Sequence, residues 1–324
     1  MKPTFHAETV NDPLGDPALF IRFSRERRAL LFDLGDISRL GAADMMKVSD
    51  VFVTHMHIDH FIGFDMLLRV LLRRESLLRV FGPHGIIDAV EGKLRGYTWN
   101  LIQDYPIKID VYEISGDEMK HAGFYAENVF RRLDLGSEPF SGIALREEGF
   151  LVRVLELWHG IPVLAFSINE DIHININKEV LMSIGLSAGK WISEFKHALR
   201  TGMPDDMIFN IDGRQIVLAD LRPAVIFTKG QKITYAADIA PTDDYIKEIS
   251  EFAMDSDIFF CEAFFLDDEF VRALERNHLT AAIAGKIAKN AGVKRLELIH
   301  FSPKYTGREH EIYEEAETAF RGDI

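Results

Sequence analysis

Short apolar runs alternate with longer amphipathic stretches along this chain, and the two patterns predict strands and helices respectively. The predicted strands are residues 29–34, 51–54, 78–81, 107–114, 150–157, 163–168, 232–237, 258–261 and 295–299. Helices are predicted at residues 45–48, 64–74, 245–253, 269–276 and 280–291. The pattern therefore predicts an α/β fold in which two β-sheets form a sandwich and helices cover its outer faces.

The regular succession of apolar, strand-like runs stops between Glu170 and Gly230. Residues 178–184 and 190–200 are expected to form two helices, and residues 211–215 a hairpin turn. The second helix carries an apolar stripe at helical spacing, formed by Trp191, Ile192, Phe195 and Leu199. Such a stripe needs cover from the body of the protein, a second subunit or a ligand, and we expect a homodimer.

Composition narrows the class of protein. At 324 residues the chain is long for one domain, but α/β folds of this size often form one unit, and we expect a single domain spanning residues 1–324. No apolar run is long enough to cross a bilayer, and the start of the chain lacks a signal-peptide core, so we expect a cytoplasmic protein without membrane association. The lone Cys261 excludes an internal disulfide and a cysteine-based zinc site, and its apolar neighbours suggest a buried strand.

Three histidines and an aspartate are packed into six positions directly after the apolar run at residues 51–53: His55, His57, Asp59 and His60. Side chains two residues apart in an extended segment point the same way, so His55 and His57 can converge on one ion. A turn after His57 would direct Asp59 and His60 toward a second. Imidazoles mixed with a carboxylate suit an open, hydrolytic metal site. The alternative is a polar loop that is merely rich in histidine.

Three further candidate ligands each stand where a predicted strand opens into a loop: His159, Asp238 and His300. Metal sites in α/β proteins are assembled at such positions. Taken singly, each has another explanation, because a histidine at a strand end can be held by a hydrogen bond and an aspartate can serve as a turn or cap residue.

The HxHxDH run after a hydrophobic strand resembles the signature of the metallo-β-lactamase superfamily, and within it the chain resembles ribonuclease Z. Further local matches are a Gly-Pro turn at residues 81–86, the His-Gly-Ile-Pro run that begins at His159, and the segment from Glu262 through His278 to residues 300–305. The resemblance implies an αββα sandwich of two mixed sheets with a helical insertion. It also implies that residues 170–230 form an inserted, arm-like segment, where ribonuclease Z carries its tRNA-binding arm.

The resemblance implies two divalent metal ions, zinc above all, with manganese or iron as alternatives. Two ions about 3.5–4 Å apart can activate a water molecule and neutralise charge on a phosphoryl oxygen. Asp59 would both ligate and accept a proton. The implied ligands are His55, His57 and His159 for the first ion, Asp59, His60 and His300 for the second, and Asp238 as a bridge between them.

His278 is the candidate for a catalytic role outside the ligand set. It would stabilise the scissile phosphate or protonate the leaving oxygen, with Glu262 orienting its ring. The alternative is a histidine at a helix start, with Asn277 as the cap. Asp33 could support a ligand histidine, or it could simply begin the turn at Gly35.

The formal charge of −14 bears on the substrate, because RNA affinity depends largely on neutralising phosphates. The insertion offers few basic residues, and the start of the chain lacks the family's usual glycine-rich turns. The candidates for binding substrate phosphate are Arg69, Arg73 and Arg74, in a basic cluster with Arg79, together with Lys304. The alternative for the arginine cluster is a solvated helix face.

Three functions remain open from the sequence. The first is a ribonuclease Z-like phosphodiesterase or endoribonuclease, with tRNA 3′-end processing among its activities. The second is a hydrolase of the same fold that acts on a non-phosphate ester, a lactone or a thioester, since activated water also attacks acyl carbon. The third is a non-catalytic, metal-binding scaffold, against which the complete ligand set argues.

Overall fold

The computed structural model describes residues 4–24 and 26–322. Residues 1–3, on which the signal-peptide expectation partly rests, lie outside the described residues. The chain forms two compact units. One, here called the body, consists of the residues up to Asn169 together with those from Gln231 onward, and the other, here called the inserted unit, is Glu170–Gly230.

The first sheet of the body has eight strands in sequence order. The four central strands, β3 to β6, are parallel, and hairpin-like antiparallel pairs flank them. The strands are β1 (Phe5–Thr9), β2 (Leu19–Phe23), β3 (Ala29–Phe32), β4 (Val48–Phe52), β5 (Leu78–Pro83), β6 (Lys108–Ser115), β7 (Glu118–Tyr125) and β8 (Arg132–Pro139).

The second sheet of the body has six strands, ordered β18-β17-β16-β11-β10-β9, and its strands β16 to β18 are parallel. These strands are β9 (Ile143–Glu147), β10 (Phe150–Trp158), β11 (Pro162–Glu170), β16 (Lys232–Ala236), β17 (Ile258–Glu262) and β18 (Leu296–Ile299). The helices of the body are α1 (Ala42–Met45), α2 (Ile58–Phe61), α3 (Phe64–Leu71), α4 (Ile86–Arg95), α8 (Asp243–Ala253), α9 (Phe270–Arg276), α10 (Ala281–Asn290) and α11 (Glu309–Arg321).

Three apolar clusters hold four layers together. One cluster joins the first sheet to α3 and α4, a second joins the two sheets through buried rings such as Phe52 and Phe166, and a third joins the second sheet to α8, α10 and α11. Each sheet thus has one face on its partner sheet and one face on helices. The predicted αββα sandwich of two mixed sheets is confirmed.

One predicted element of the body is wrong. Residues 45–48 were expected to be helical, but α1 ends at Met45 and Val48 begins β4. Val48 is fully buried in the sheet, where a β-branched side chain packs well. Cys261 lies buried in β17, as predicted.

The inserted unit has a core of its own. Its elements are β12 (His173–Ile176), α5 (Lys178–Ser183), α6 (Trp191–Arg200), β13 (Ile208–Ile211), β14 (Arg214–Val217), α7 (Leu218–Leu221) and β15 (Val225–Thr228). The prediction that strands stop in this segment is therefore wrong, because β12 pairs with β15. The two predicted helices and the hairpin turn are present, and the turn uses Asp212 and Gly213 at positive φ.

The apolar stripe of α6 is covered within the inserted unit. Phe195 is fully buried in that unit's core, and Trp191, Ile192 and Leu199 pack against it. The stripe therefore does not by itself require a second subunit. Among the helices within residues 4–24 and 26–322, none combines the length and the apolar character needed to cross a membrane.

Candidate metal centre

The candidate ligands all follow the carboxyl ends of strands. The HxHxDH run follows β4, whereas His159 follows β10, Asp238 follows β16 and His300 follows β18. Parallel strands bring their carboxyl ends to the same edge of a sheet, so β16 to β18 present Asp238, Glu262 and His300 side by side.

Three of the residues at these strand ends have left-handed backbone conformations. Asp33, Asp238 and His300 have φ values of 60°, 58° and 57° and stand at or just beyond the ends of β3, β16 and β18. Asp and His tolerate this region better than most side chains, but each such residue still costs of the order of 1–3 kcal/mol. Backbone strain of this kind concentrates where a structure serves a function.

The structure brings all seven implied ligands together. His55, His57, His159 and Asp238 each offer a donor atom, and these atoms lie within 4.8 Å of one another. Asp59, His60 and His300 form a second group under the same limit. These two groups correspond to the two ligand sets that the resemblance implies, and a third group under the same limit joins Asp238 and His300 to Glu262 and His278.

Asp238 occupies the centre of this arrangement. Its Oδ2 atom lies 3.3 Å from Nε2 of His55, 3.4 Å from Nε2 of His60 and 3.6 Å from Nε2 of His159. Its Oδ1 atom lies 2.6 Å from Nδ1 of His300. One carboxylate thus faces ligands of both sets, as a bridging ligand must.

Hydrogen bonds fix which ring nitrogen is available to a metal. Nδ1 of His159 lies 2.7 Å from the carbonyl oxygen of Asn277, which can only accept, so Nδ1 carries the proton. Nδ1 of His60 lies 2.8 Å from a carboxylate oxygen of Asp33. Both histidines therefore keep the lone pair of Nε2 for an ion.

A hydrogen bond with Thr54 likewise determines which ring nitrogen of His55 carries the proton. The Thr54 hydroxyl donates to the Asp33 carboxylate at 2.9–3.0 Å, so it can only accept from Nδ1 of His55, which lies 3.1 Å away. Asp33 accepts two further hydrogen bonds, from the Thr54 backbone N–H at 2.7 Å and from the Tyr235 hydroxyl at 2.9 Å. The hydrogen bonds of Asp33 with Thr54 and His60 favour the first of the two roles considered for it, a partner of a candidate ligand histidine.

The donor set fits a cation. Buried polar atoms without a hydrogen-bond partner are rare in native proteins. Four buried atoms without a well-oriented hydrogen bond meet at this centre, although the last two lie 2.6 Å apart: Nε2 of His55, Nε2 of His60, Oδ1 of Asp238 and Nδ1 of His300. Imidazole nitrogens and carboxylate oxygens aimed at a common point supply the ligands that zinc, manganese and iron accept.

Two of the histidines favour their neutral form. Burial lowers the pKa of His55 and of His57, although nearby Asp238 works against it. Neutral imidazole is the form that binds metal.

The carboxylates are held ionised. Burial would raise the pKa of Asp59, but a hydrogen bond with His300 and the charge of His60 outweigh it and lower that pKa to about 2. Asp238 follows the same pattern, because His300 and His60 overcome its burial and hold its pKa well below the usual value.

Two other candidate ligand histidines, His60 and His300, are stabilised in their charged form by the same carboxylates. Burial disfavours charged His60, but Asp33 and Asp238 outweigh it and hold the pKa of His60 well above its usual value. The pKa of His300 rises to about 9 because Asp238 overcomes burial in the same way. The centre therefore attracts positive charge, which protons or metal ions can supply.

A carboxylate–histidine pair stands beside the ligand groups. Nδ1 of His278 lies 2.8 Å from Oε2 of Glu262, and Oε1 of Glu262 accepts the backbone N–H groups of Ile239 and Leu279. Phe264 stacks on the His278 ring with centroids 4.0 Å apart and planes 7° apart. The carboxylate and the stacked ring fix the orientation of His278 and leave its Nε2 available for substrate.

The helix-start alternative for His278 is wrong. The N-cap of α10 is Thr280, whose side chain accepts from the backbone N–H of Ile283. Asn277 instead ends α9 in a left-handed conformation, with φ of 57°.

The candidate phosphate-binding cations occupy different settings. Arg74 is buried and donates to the backbone carbonyls of Met46, Val48 and Leu77, which is a structural role and corrects the expectation that it binds substrate. Arg73 lies over the Tyr105 ring, and Arg69 is exposed on α3.

Two more cations of this group have carboxylate partners. Lys304 pairs with Glu269 and lies over the Phe265 ring. Arg79 pairs with Asp50 and Glu147. Of the arginine candidates, Arg69 and Arg73 are both exposed.

Sequence reasoning missed several residues that shape the centre. Thr54, Tyr235 and Phe264 act through other side chains, and nothing in their spacing marks them. Asp16 also lies within electrostatic reach, because burial and the nearby charge of Asp59 raise its pKa. It belongs to the segment from Asn11 to Pro17, which the sequence marked only as a departure from the family.

The chain is similar to curated ribonucleases over most of its length. It is 29% identical to ribonuclease Z of Nanoarchaeum equitans over 293 residues, covering 89% of this chain and 78% of that protein. It is 28% identical to ribonuclease Z of Methanosarcina acetivorans over 312 residues, covering 94% and 88%. A ribonuclease BN of Proteus mirabilis is 26% identical over 92% of this chain and 87% of that protein. No family model matches the chain.

Solved structures share the fold. The metallo-β-lactamase fold protein YhfI from Bacillus subtilis superposes with a TM-score of 0.55 at 17% identity, covering 95% of this chain and 87% of that one. The short form of human tRNase Z superposes with a TM-score of 0.53 at 20% identity, covering 94% and 93%. The chain thus has the metallo-β-lactamase fold and is ribonuclease Z-like over most of its length.

Proposed function

We propose that this chain is a binuclear metal-dependent phosphodiesterase that cleaves RNA, with the 3′ side of precursor tRNA as its candidate substrate. The observation that carries the proposal is the convergence of seven candidate imidazole and carboxylate ligands on one edge of the sandwich, where four buried atoms make no well-oriented hydrogen bond. The similarity to ribonuclease Z over about nine-tenths of the chain supports the same reaction class. The chain is accordingly a metal-dependent hydrolase.

Zinc is the proposed metal, held by His55, His57 and His159 on one side, by Asp59, His60 and His300 on the other, and by Asp238 between them. Two such ions would activate a water molecule and offset charge on the phosphoryl oxygens. Imidazole-rich sites favour zinc over calcium or magnesium, and manganese or iron would be accepted by the same donors.

Asp59 and His278 would accept and donate the protons of the reaction. Asp59 is held ionised and is half-exposed, so its free oxygen can accept a proton from the attacking water. His278 keeps its Nδ1 proton toward Glu262, and its Nε2 can therefore deliver a proton to the leaving oxygen when protonated.

Charge distribution bears on the substrate. The inserted unit has seven Lys and Arg against eight Asp and Glu, so the body carries nearly all of the chain's net charge of −14. A polyanion is repelled less by the inserted unit than by the body. We therefore propose that the inserted unit is an arm that contacts large substrates. We also propose, on the sequence expectations alone, that the protein is cytoplasmic and that it forms a homodimer.

One set of parallel assays tests the proposal. Zinc-loaded protein is given a chromogenic phosphodiester, a lactone and a precursor tRNA, and the expected result is turnover of the two phosphodiesters. Turnover of the lactone alone would identify an acyl hydrolase of the same fold. Metal binding without turnover of any of the three would identify a scaffold. His278→Ala serves as the diagnostic variant, and His173→Ala is its matched control, because His173 also pairs with a glutamate, Glu170, at 2.9 Å.

A further inference from the structure

Five rings form a continuous stack across the first sheet, one ring from each of five neighbouring strands. Each successive pair is directly opposite in the strand register. The centroid distances along the stack are 4.9, 4.9, 4.7 and 4.4 Å, and the interplanar angles are 17°, 10°, 12° and 12°. The rings, from β3 to β7, are Phe32, Phe52, Phe81, Tyr112 and His121.

The two ends of this ring stack have different surroundings. Phe32 and Phe52 are buried and contact Phe166 of the second sheet. The second sheet has two strands fewer than the first, and the last strand, β8, is exposed along almost its whole length. The stack therefore begins in the core and ends where the first sheet is open to solvent.

On the next strand, β8, no side chain continues the ring stack. His121 pairs in register with Gly136 of β8, and a Cβ built on Gly136 would meet no atom within 4 Å. A cavity of about 260 Å³ lies at this place, lined by Tyr112, Met119, His121, Gly136 and Glu138 among others. Pockets for drug-sized ligands hold roughly 300–1,000 Å³, so this one suits a single ring system.

Stacking restrains the terminal ring, and a carboxylate lies beside it without a well-oriented hydrogen bond. Tyr112 stacks on one face of His121, and Nε2 of His121 lies 3.2 Å from Oδ2 of Asp110. Asp110 is itself buried and accepts a hydrogen bond of 3.0 Å from the Tyr125 hydroxyl. A ring restrained in this way offers its other face as a flat platform at little cost in side-chain entropy.

We propose that a nucleobase stacks on His121 above Gly136 and becomes the sixth ring of the series. Base stacking on aromatic side chains is the common device of proteins that bind single-stranded RNA. The carboxylate of Glu138 can accept from an exocyclic amino group, so the site suits adenine, guanine and cytosine better than uracil. This proposal rests on the proposed function and assigns it a base-recognition site separate from the metal centre.

The position of the stack is compatible with one RNA strand reaching both places. Phe52 ends β4 and precedes the first ligand histidine by three residues, so the ring stack runs just beneath the ligand edge of the sheet. Four strand spacings separate β4 from β8, or about 19 Å at ~4.8 Å each. The base in question would therefore belong to a nucleotide a few positions from the scissile phosphate.

Nucleoside binding to the chelator-treated full chain tests the site without metal chemistry. Adenosine, guanosine, cytidine and uridine are titrated by calorimetry and saturation-transfer NMR, with ribose as the probe that lacks a base. We expect the three amino-bearing nucleosides to bind more tightly than uridine, and ribose not to bind. His121→Ala should weaken adenosine binding by roughly 5–150-fold, the range that a lost stacking contact produces. His121→Phe should retain binding.

Two controls keep the result specific. Glu138→Gln should reduce the preference over uridine, whereas Asp134→Asn on the same strand, beside Arg132, should not. His310→Ala on α11 should bind adenosine like the wild type. Equal adenosine affinity in the wild type and His121→Ala, or no saturable binding of any nucleoside up to its solubility limit, would overturn the site.

The RNA assay separates this proposal from the function on which it rests. RNA cleavage by the wild type together with nucleoside binding that ignores His121 would overturn the base site alone. Nucleoside binding that depends on His121, in a protein that cleaves no RNA, would support the base site and overturn the proposed ribonuclease.

Discussion

Asp33→Asn should weaken metal binding at the candidate centre while leaving the fold intact. Asp33 is fully buried, and its carboxylate accepts hydrogen bonds from Thr54, His60 and Tyr235. Asparagine has nearly the same shape and tolerates the left-handed backbone that Asp33 adopts at φ 60°. The substitution therefore changes an acceptor into a donor without changing volume or backbone.

The expected size of the effect follows from the tautomer of His60. An amide N–H₂ near Nδ1 of His60 forces that nitrogen to accept, which moves the ring proton to Nε2 and removes the lone pair that faces Asp238. Replacing the partner of a ligand histidine typically lowers metal affinity by 10–100-fold. We expect a loss in this range for one of the two ions. Asp33→Ala leaves four buried donors without an acceptor, at about 1–3 kcal/mol each, and should lower stability as well.

Competition titration with a zinc chelator measures the affinity of each ion, and thermal unfolding of the metal-free protein measures stability. The expected result for Asp33→Asn is weakened binding of one ion with an unfolding temperature close to the wild-type value. Wild-type affinity for both ions in Asp33→Asn would show that Asp33 does not set the tautomer of His60. Asp257→Asn is the matched control, because Asp257 also accepts a backbone N–H, that of Lys232, but lies outside the ligand groups.

Four further outcomes are expected. Elemental analysis should find close to two transition-metal ions per chain, and Asp238→Ala should lose more than one because Asp238 faces both ligand sets; no more than one ion in reconstituted wild type would contradict the ligand set. His278→Ala should keep its metal but lose roughly 10²–10⁴ of phosphodiester turnover, unlike His173→Ala; metal loss would make His278 a ligand. Replacing residues 170–231 by Asn-Gly should leave small-phosphodiester turnover intact, since Asn169 and Lys232 are register partners; an unfolded product would show the segment to be essential to the body. Burial opposes ionisation of Glu147, but Arg28 and Arg79 outweigh it and lower the pKa of Glu147 from 4.5. Its stabilising effect is therefore present above that value and is lost as pH falls through the folded-state pKa. The melting temperature of Glu147→Gln should accordingly fall less steeply with decreasing pH than that of the wild type.

The positions of the candidate ligands at strand ends could be predicted because they depend on local sequence. Apolar runs mark strands, and polar residues directly after them mark the edge where carboxyl ends of parallel strands meet. His55, His159, Asp238 and His300 all obey this rule. The expectation that Arg74 binds substrate was wrong. Arg74 lies beside buried carbonyls because of the way α3 packs, and a pattern of charges in the sequence does not reveal that packing.

The flanking strands were harder to predict than the central ones. The burial of β8 alternates too little to give a pattern, because almost all of its residues are exposed, and β1 is mostly exposed as well. These strands exist because a neighbouring strand offers hydrogen bonds along its edge, which is a tertiary effect that overrides weak local preference. The ring stack became visible only through the register of five strands, although each of its rings is plain in the sequence.

The support of the metal centre shows why such features escape sequence reasoning. Asp33 accepts hydrogen bonds from His60, 27 residues away, and from Tyr235, 202 residues away and in the other sheet. No periodicity links positions so far apart. The ligands alone define which atoms can hold metal, but the tautomers of His55 and His60 depend on one carboxylate that the sandwich buries beneath them. The chemistry of this edge is thus set by the packing of the two sheets as much as by the HxHxDH run.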